Sequence, residues 1–253
     1  MAHTIQIKAD EAVATITLHR PREYNALSHQ MAQELMECLS LMEGEDSIRV
    51  VILTGGDEVF CAGMDLKEVL RLEESKLEEH FLFFLKLYLH ICDFGKPTVA
   101  AVSGLALGGG FNMALLCDII VASETAIFAH PEVKYGFNPF VEPLARRIGL
   151  AKARELSLTG EPIGAKEAFQ LGMVSAVEPP ERFWCKAQAM ATMLASRPLQ
   201  AVQAVKRACD VIPRLDRRAA LEYEFEKAVR LFTSRETKQL IDQFFVQRRR
   251  RGS

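Results

Sequence analysis

No two of the six cysteines (Cys38, Cys61, Cys92, Cys117, Cys185, Cys209) form a CxxC pair, and several lie inside apolar runs. That scatter argues against a disulfide frame or a zinc site, and for reduced thiols in a cytosolic protein. The start of the chain, Met1-Ala2-His3-Thr4-Ile5, lacks a basic segment followed by an apolar core, so no secretory signal is expected. Long apolar runs are missing as well. The longest are broken by Gly, Asp or Lys and are too short to span a bilayer. Charge is balanced, with 31 basic and 33 acidic side chains and a net charge of -2, so nothing global points to nucleic acid. Internal repeats and low-complexity tracts are absent. What remains is a soluble cytoplasmic protein with no expected metal site. Its 253 residues, 49% of them hydrophobic, can bury a substantial core as one domain or one domain plus an appendage.

The pattern along the chain predicts an α/β architecture. Thr4 to Leu18 alternates polar and apolar residues, which suits a hairpin of half-buried strands. Ser28 is placed to cap a helix through Met42, whose Met31, Leu35, Leu39 and Met42 recur at helical spacing. Val50 to Thr54, Thr98 to Val102 and Ile119 to Ala122 are short apolar runs of the kind found in buried strands. Helical patterning runs from Leu66 to Ile91, and from about Pro143 onward the chain reads as almost wholly helical, a helical appendage. Strands alternating with helices predict a layered sheet with right-handed crossovers, and ligands in such folds gather at the carboxyl ends of strands. Gly55-Gly56 and Gly104 to Gly110 lie at such ends.

Gly108-Gly109-Gly110, followed by Phe111 and Asn112, opens an apolar helix-like stretch ending at Cys117-Asp118. Glycine lets main-chain N–H groups approach a ligand with no side chain in the way, and a helix start adds unpaired donors and a positive end. The place suits an oxygen that develops negative charge. The alternative is a tight turn.

The sequence resembles the enoyl-CoA hydratase/isomerase (crotonase) superfamily over nearly its full length. The resemblance is carried by Arg20-Pro21 with Asn25-Ala26-Leu27, Val51 to Gly55, Phe60-Cys61-Ala62-Gly63-Met64-Asp65-Leu66, Lys96 to Gly104, and Ala106-Leu107-Gly108-Gly109-Gly110. Cys117-Asp118-Ile119, Phe128, Pro131-Glu132, Gly136 and Leu158-Thr159-Gly160 complete it. It implies an α/β crotonase spiral of ββα units over residues 1–195, and a C-terminal helical trimerisation region over 196–253. It also implies an acyl-CoA thioester substrate, with coenzyme A part of that substrate and no separate cofactor, and a homotrimer or hexamer.

By the same resemblance, the backbone N–H groups of Met64 and Gly109 hold a thioester enolate oxygen. Ala26, Ala62, Met64, Asp65, Leu66 and Lys67 match the segments that hold CoA, and Phe244 and Arg248 match a CoA-contacting C-terminal helix. Asp65 also suits a helix cap, and Lys67 a solvated helix face. Glu132 is the candidate acid/base. Hydratases of the family use two glutamates, but the position of the first holds Asn112, an amide that cannot take up a proton near neutral pH. One carboxylate is enough for the proton shuttle of the family's isomerases.

Double-bond isomerisation is therefore the first expectation. Hydration assisted by Asn112 or Glu142 is the alternative, although Glu142 precedes Pro143 and suits a helix start. A reading of another class is a non-catalytic CoA- or RNA-binding protein using Arg248 to Arg251, for which a helix end complementing its dipole is the simpler account. Phe81, Phe83, Phe84 and Tyr88 border the acyl pocket in the family, yet aromatics at helical spacing more often pack in a core, and core is the expectation. Tyr135 and His130 are pocket candidates on the same footing, with packing the simpler role.

Overall fold

The computed structural model describes residues 3–251, with side chains described through Val246. The chain forms two compact units, one ending at Ala195 and the other beginning at Ser196.

The first unit opens with the expected hairpin, β1 (Ile5–Asp10) antiparallel to β2 (Val13–Leu18). Helix α1 (His29–Gly44) follows, and the Ser28 hydroxyl accepts from the Met31 N–H at 3.2 Å as its N-cap. Three strand pairs come next. In each, one strand joins a large sheet and the next joins a small one: β3 (Val50–Thr54) with β4 (Val59–Cys61), β5 (Thr98–Val102) with β6 (Leu105–Leu107), and β7 (Ile119–Ser123) with β8 (Ile127–Ala129). Helices α2 (Leu66–Val69) and α3 (Glu74–Asp93) follow the first pair, and α4 (Gly109–Leu116) follows the second. After the third come α5 (Glu142–Ile148), α6 (Leu150–Thr159), β9 (Ile163–Gly164), α7 (Ala165–Gln170), β10 (Ala176–Glu178) and α8 (Pro180–Ala195). The large sheet has the order β1-β2-β3-β5-β7-β10 and the small one β4-β6-β8-β9. This is the ββα spiral expected of the crotonase fold.

Glycine marks the passage between sheets. A Cβ on Gly104 would lie 1.7 Å from the Glu58 carbonyl oxygen, and Gly104 has φ +60°, so no other residue fits there. Gly55 and Gly104 thus serve the crossing of backbones.

The central strands are buried on both faces, and their side chains divide by parity. Val50, Ile52, Val99, Ala101 and Val121 pack with Phe183, Ala187 and Ala191 of α8. Val51, Leu53, Ala100, Val102 and Ile120 pack into the main core with residues of α1, α3 and α4 such as Leu35, Leu87 and Phe111. Helix α8 is therefore integral to the first unit, not part of a helical appendage beginning near Pro143. Two further expectations are corrected. Residues 70–73 interrupt the helical stretch from Leu66 to Ile91, and β9 and β10 interrupt the helical region after Pro143.

Two cations, Lys96 buried and Arg147 half-buried, hold helix ends. Lys96 Nζ donates to the carbonyls of Met42 and Glu45 at the end of α1, at 2.6 and 2.7 Å. Arg147 donates to the carbonyls of Leu115 and Cys117 at the end of α4. The second unit contains α9 (Leu199–Val211), α10 (Arg217–Phe232) and α11 (Arg235–Arg251), with the Asp216 carboxylate capping α10. Among the described residues no helix is long and apolar enough to cross a membrane.

Candidate active site

A cavity of about 430 Å³ lies in the first unit, where the loop after β4, the start of α4, the turn after β8 and one face of α3 converge. Its lining is mostly apolar, with Met64, Phe81, Phe84, Tyr88, Phe137, Pro139 and Phe140 supplying much of it. The polar lining groups are few, as is usual for a small-molecule site.

The backbone donors come from two tight segments. Leu27 and Met64 form an isolated parallel bridge, in which Leu27 N–H donates to the Gly63 carbonyl and Asp65 N–H to the Leu27 carbonyl. That register turns the N–H of Met64 away from Leu27. Gly108 sits at φ 49°, ψ -120°, a conformation open to glycine, and its N–H donates to the Ala129 carbonyl at 2.9 Å. Gly109 is then the first residue of α4, so its N–H has no acceptor within the helix. A Cβ at Gly63 would lie 3.4 Å from Gly109 N, and a Cβ at Gly109 would lie 3.6 Å from Met64 N. The two segments therefore touch, and two amide donors without an acceptor among the described residues stand side by side at the cavity wall.

Glu132 lies in a single 3₁₀ turn, Pro131–Tyr135, that follows β8. The residue is 8% exposed, and Oε2 has no hydrogen-bond partner among the described residues. A Cβ on Gly108 would lie 3.0 Å from Oε1, so the glycine makes room for the acid. Burial pushes the Glu132 carboxyl above its ordinary value. A general base working near neutrality gains from that shift.

Asn112 is also buried at the cavity, but its Oδ1 lies 3.1 Å from His130 Nε2. Burial pushes His130 down to about 4, so the ring is neutral at working pH, and Nε2 carries the hydrogen that an amide oxygen accepts. The ring packs against Phe111 with centroids 4.8 Å apart. The Asn112 NH₂ makes no hydrogen bond among the described residues and is a donor the cavity can use. His130 thus holds Asn112, and Tyr135 lines the cavity while 68% exposed.

The structure does not gather every expected residue. Ala62, Met64, Leu66 and Gly109 line the cavity, whereas Ala26, Asp65 and Lys67 do not. Asp65 caps α2, accepting from the N–H groups of Lys67 and Glu68, and pairs with Arg20 at 2.8 Å. Arg20 also donates to the Ala26 carbonyl, tying residues 20–26 to the loop that carries Met64. Lys67 points to solvent. Glu142 is exposed, opens α5 and pairs with Arg146 at 2.8 Å, and it is not among the lining residues. Phe244 lies in the second unit and is 57% exposed, and the side chain of Arg248 falls outside the described residues.

Sequence patterning undervalued the aromatic helix. Phe81, Phe84 and Tyr88 line the cavity, although Phe84 and Tyr88 are also buried. Phe137 and Phe140 carried no signal beyond being apolar in a loop. Among the described residues no group of three or more His, Cys, Asp or Glu is placed to hold a metal ion.

Comparison with known proteins converges with this geometry. The enoyl-CoA hydratase/isomerase family matches residues 8–251. The chain belongs to that family. An enoyl-CoA hydratase crystal structure from Bacillus anthracis superposes with a TM-score of 0.93 at 31% identity, covering 96% of both chains. One from Mycobacterium smegmatis gives a TM-score of 0.91 at 28% identity, again over 96% of both. A Rhizobium meliloti protein named "Probable enoyl-CoA hydratase" is 34% identical over 249 residues, 97% of this chain and 96% of its own. As a member of the enoyl-CoA hydratase/isomerase family, the protein is an enzyme of acyl-CoA metabolism.

Proposed function

We propose that the enzyme isomerises an enoyl-CoA double bond by a single-carboxylate proton shuttle at Glu132. Glu132 removes a proton from C2 of a 3-enoyl thioester, and the electron pair moves onto the thioester oxygen as a dienolate. The N–H groups of Met64 and Gly109 donate to that oxygen, and losing one such donor typically costs about 3 kcal/mol of transition-state stabilisation. Protonated Glu132 then returns the proton to C4, leaving the conjugated 2-enoyl thioester.

One observation carries this reading: among the described residues Glu132 is the only carboxylate lining the cavity, and the amide oxygen of Asn112 is already engaged by His130. Activation of a water for addition ordinarily calls on two acids in this family, and only one is at hand. A second reading, hydration of a 2-enoyl thioester, is favoured by the names of the similar proteins. In that case Glu132 and the NH₂ of Asn112 would share the water. Glu142, paired with Arg146, has no part in either.

CoA is held in this account by Ala26, Ala62, Met64, Asp65, Leu66 and Lys67 of the first unit. The enzyme is a homotrimer or hexamer joined through its C-terminal region. That placement is supported by the exposed apolar residues Leu221, Phe225 and Phe232, which are 59%, 71% and 65% exposed. Six free thiols fit a cytoplasmic setting. Conversion of a 3-enoyl-CoA to the 2-enoyl isomer, measured beside water addition to crotonyl-CoA, tests the assignment. Hydration outpacing isomerisation would overturn it.

A further inference from the structure

Two functional groups of the cavity stand over successive glycines. The Glu132 carboxylate occupies the space above Gly108, and the Tyr88 hydroxyl occupies the space above Gly109, 2.5 Å from where a Cβ would be. Met64 N lies 3.6 Å from that same point. The phenol oxygen and the Met64 amide therefore share the space over Gly109, at the cavity wall, although Tyr88 enters from α3, far away in sequence.

The ring of Tyr88 needs no hydroxyl to do its packing. It is 6% exposed and meets Phe140 edge-on, with centroids 5.6 Å apart, and a phenylalanine would fill the same space. Among the described residues the hydroxyl makes no hydrogen bond. A tyrosine buried by its ring normally finds a partner for its O–H, and here the hydroxyl faces the cavity. A ligand atom in the cavity can supply that partner.

We infer that Tyr88 is a third donor of the oxyanion hole, its O–H directed at the same thioester oxygen as the N–H groups of Met64 and Gly109. Burial, with Cys61 and Glu132 nearby, raises its ionisation far above neutrality, so the phenol stays a donor and does not compete with Glu132 as a base. A neutral donor suits an oxygen that gains charge only during reaction, because it stabilises the enolate more than the ground-state carbonyl. The inference rests on the thioester-enolate part of the proposed function and not on whether the product is an isomer or a hydrate.

The test is Tyr88→Phe, read by the ultraviolet enolate band of bound acetoacetyl-CoA, by kcat, and by affinity for free CoA. Wild type is expected to shift bound acetoacetyl-CoA towards its enolate. Tyr88→Phe is expected to weaken that shift and to lower kcat by about 10²-fold, with KM, CoA affinity and melting temperature nearly unchanged. An enolate band and kcat equal to wild type in Tyr88→Phe would overturn the role of Tyr88 while leaving the amide donors standing. Loss of CoA affinity and melting temperature in parallel with kcat would also overturn it, in favour of a packing role. Absence of the enolate band in wild type would overturn the enolate reading together with this one.

Discussion

Glu132 illustrates how a catalytic group works against the fold that holds it. A buried glutamate whose Oε2 finds no partner among the described residues is favoured in its protonated form, so its folded pKa stands above the ordinary 4.5. The folded state then binds more protons than the unfolded one, and stability is lost as pH rises from the ordinary value through the raised one. Glu132→Gln keeps the shape and removes the charge. The variant should melt higher than wild type at neutral pH, with a flatter pH dependence above 4.5, while activity falls by about 10² to 10⁴-fold. Thermal melts across that range check the sign. A variant that melts lower than wild type at pH 7 would contradict the account of an unpaired, desolvated acid.

At the scale of elements, the parts nearest the chemistry are positioned by caps and short bridges, and these carry measurable energy. Asp65 joins the N-terminus of α2 to Arg20, and their side chains are only 10% and 18% exposed. Burial pushes the Asp65 carboxyl up, but Arg20 and the two capping N–H groups outweigh it and hold it below the ordinary 3.8. That stability is present above the ordinary value and is lost as pH falls through the lowered one. Asp65→Ala should destabilise the protein by about 3 kcal/mol at neutral pH, through a lost cap and an unpaired Arg20. Denaturant melts at neutral pH give the magnitude, and a loss below about 0.5 kcal/mol would mean that the pair is solvated like an ordinary surface bridge.

The elements also explain what could be read without a structure. Buried central strands such as Val50–Thr54 and the capped α1 were legible because continuous burial and helical spacing leave long signals. Strands β4, β6, β8, β9 and β10 have only two or three residues each, too few for a period of two to show. The glycine run and Glu132 were legible as motifs through their family resemblance. Tyr88 was not, because a cavity wall and a core present the same apolar face along a helix. What separates them is the hydroxyl placed over Gly109, and that placement depends on how α3 meets α4.

For the whole molecule, two compact units divide the work: the first contains the cavity, and the second leaves large apolar residues of α10 and α11 in solvent. An area of that kind calls for a partner surface, and a second copy of the chain is the proposed one. Light scattering on the purified protein should give a trimer or hexamer mass, and Phe225→Asp combined with Phe232→Asp should lower it. A wild-type monomer at micromolar concentration would contradict the assembly.

The whole account turns on one carboxylate doing the chemistry alone. Its most direct test is the ratio of 3-enoyl-CoA isomerisation to crotonyl-CoA hydration in wild type and in Glu132→Gln. A single-carboxylate shuttle predicts isomerisation well above hydration in wild type, and its loss in Glu132→Gln. Faster hydration, or isomerisation that survives at the wild-type rate without the Glu132 carboxylate, would contradict it.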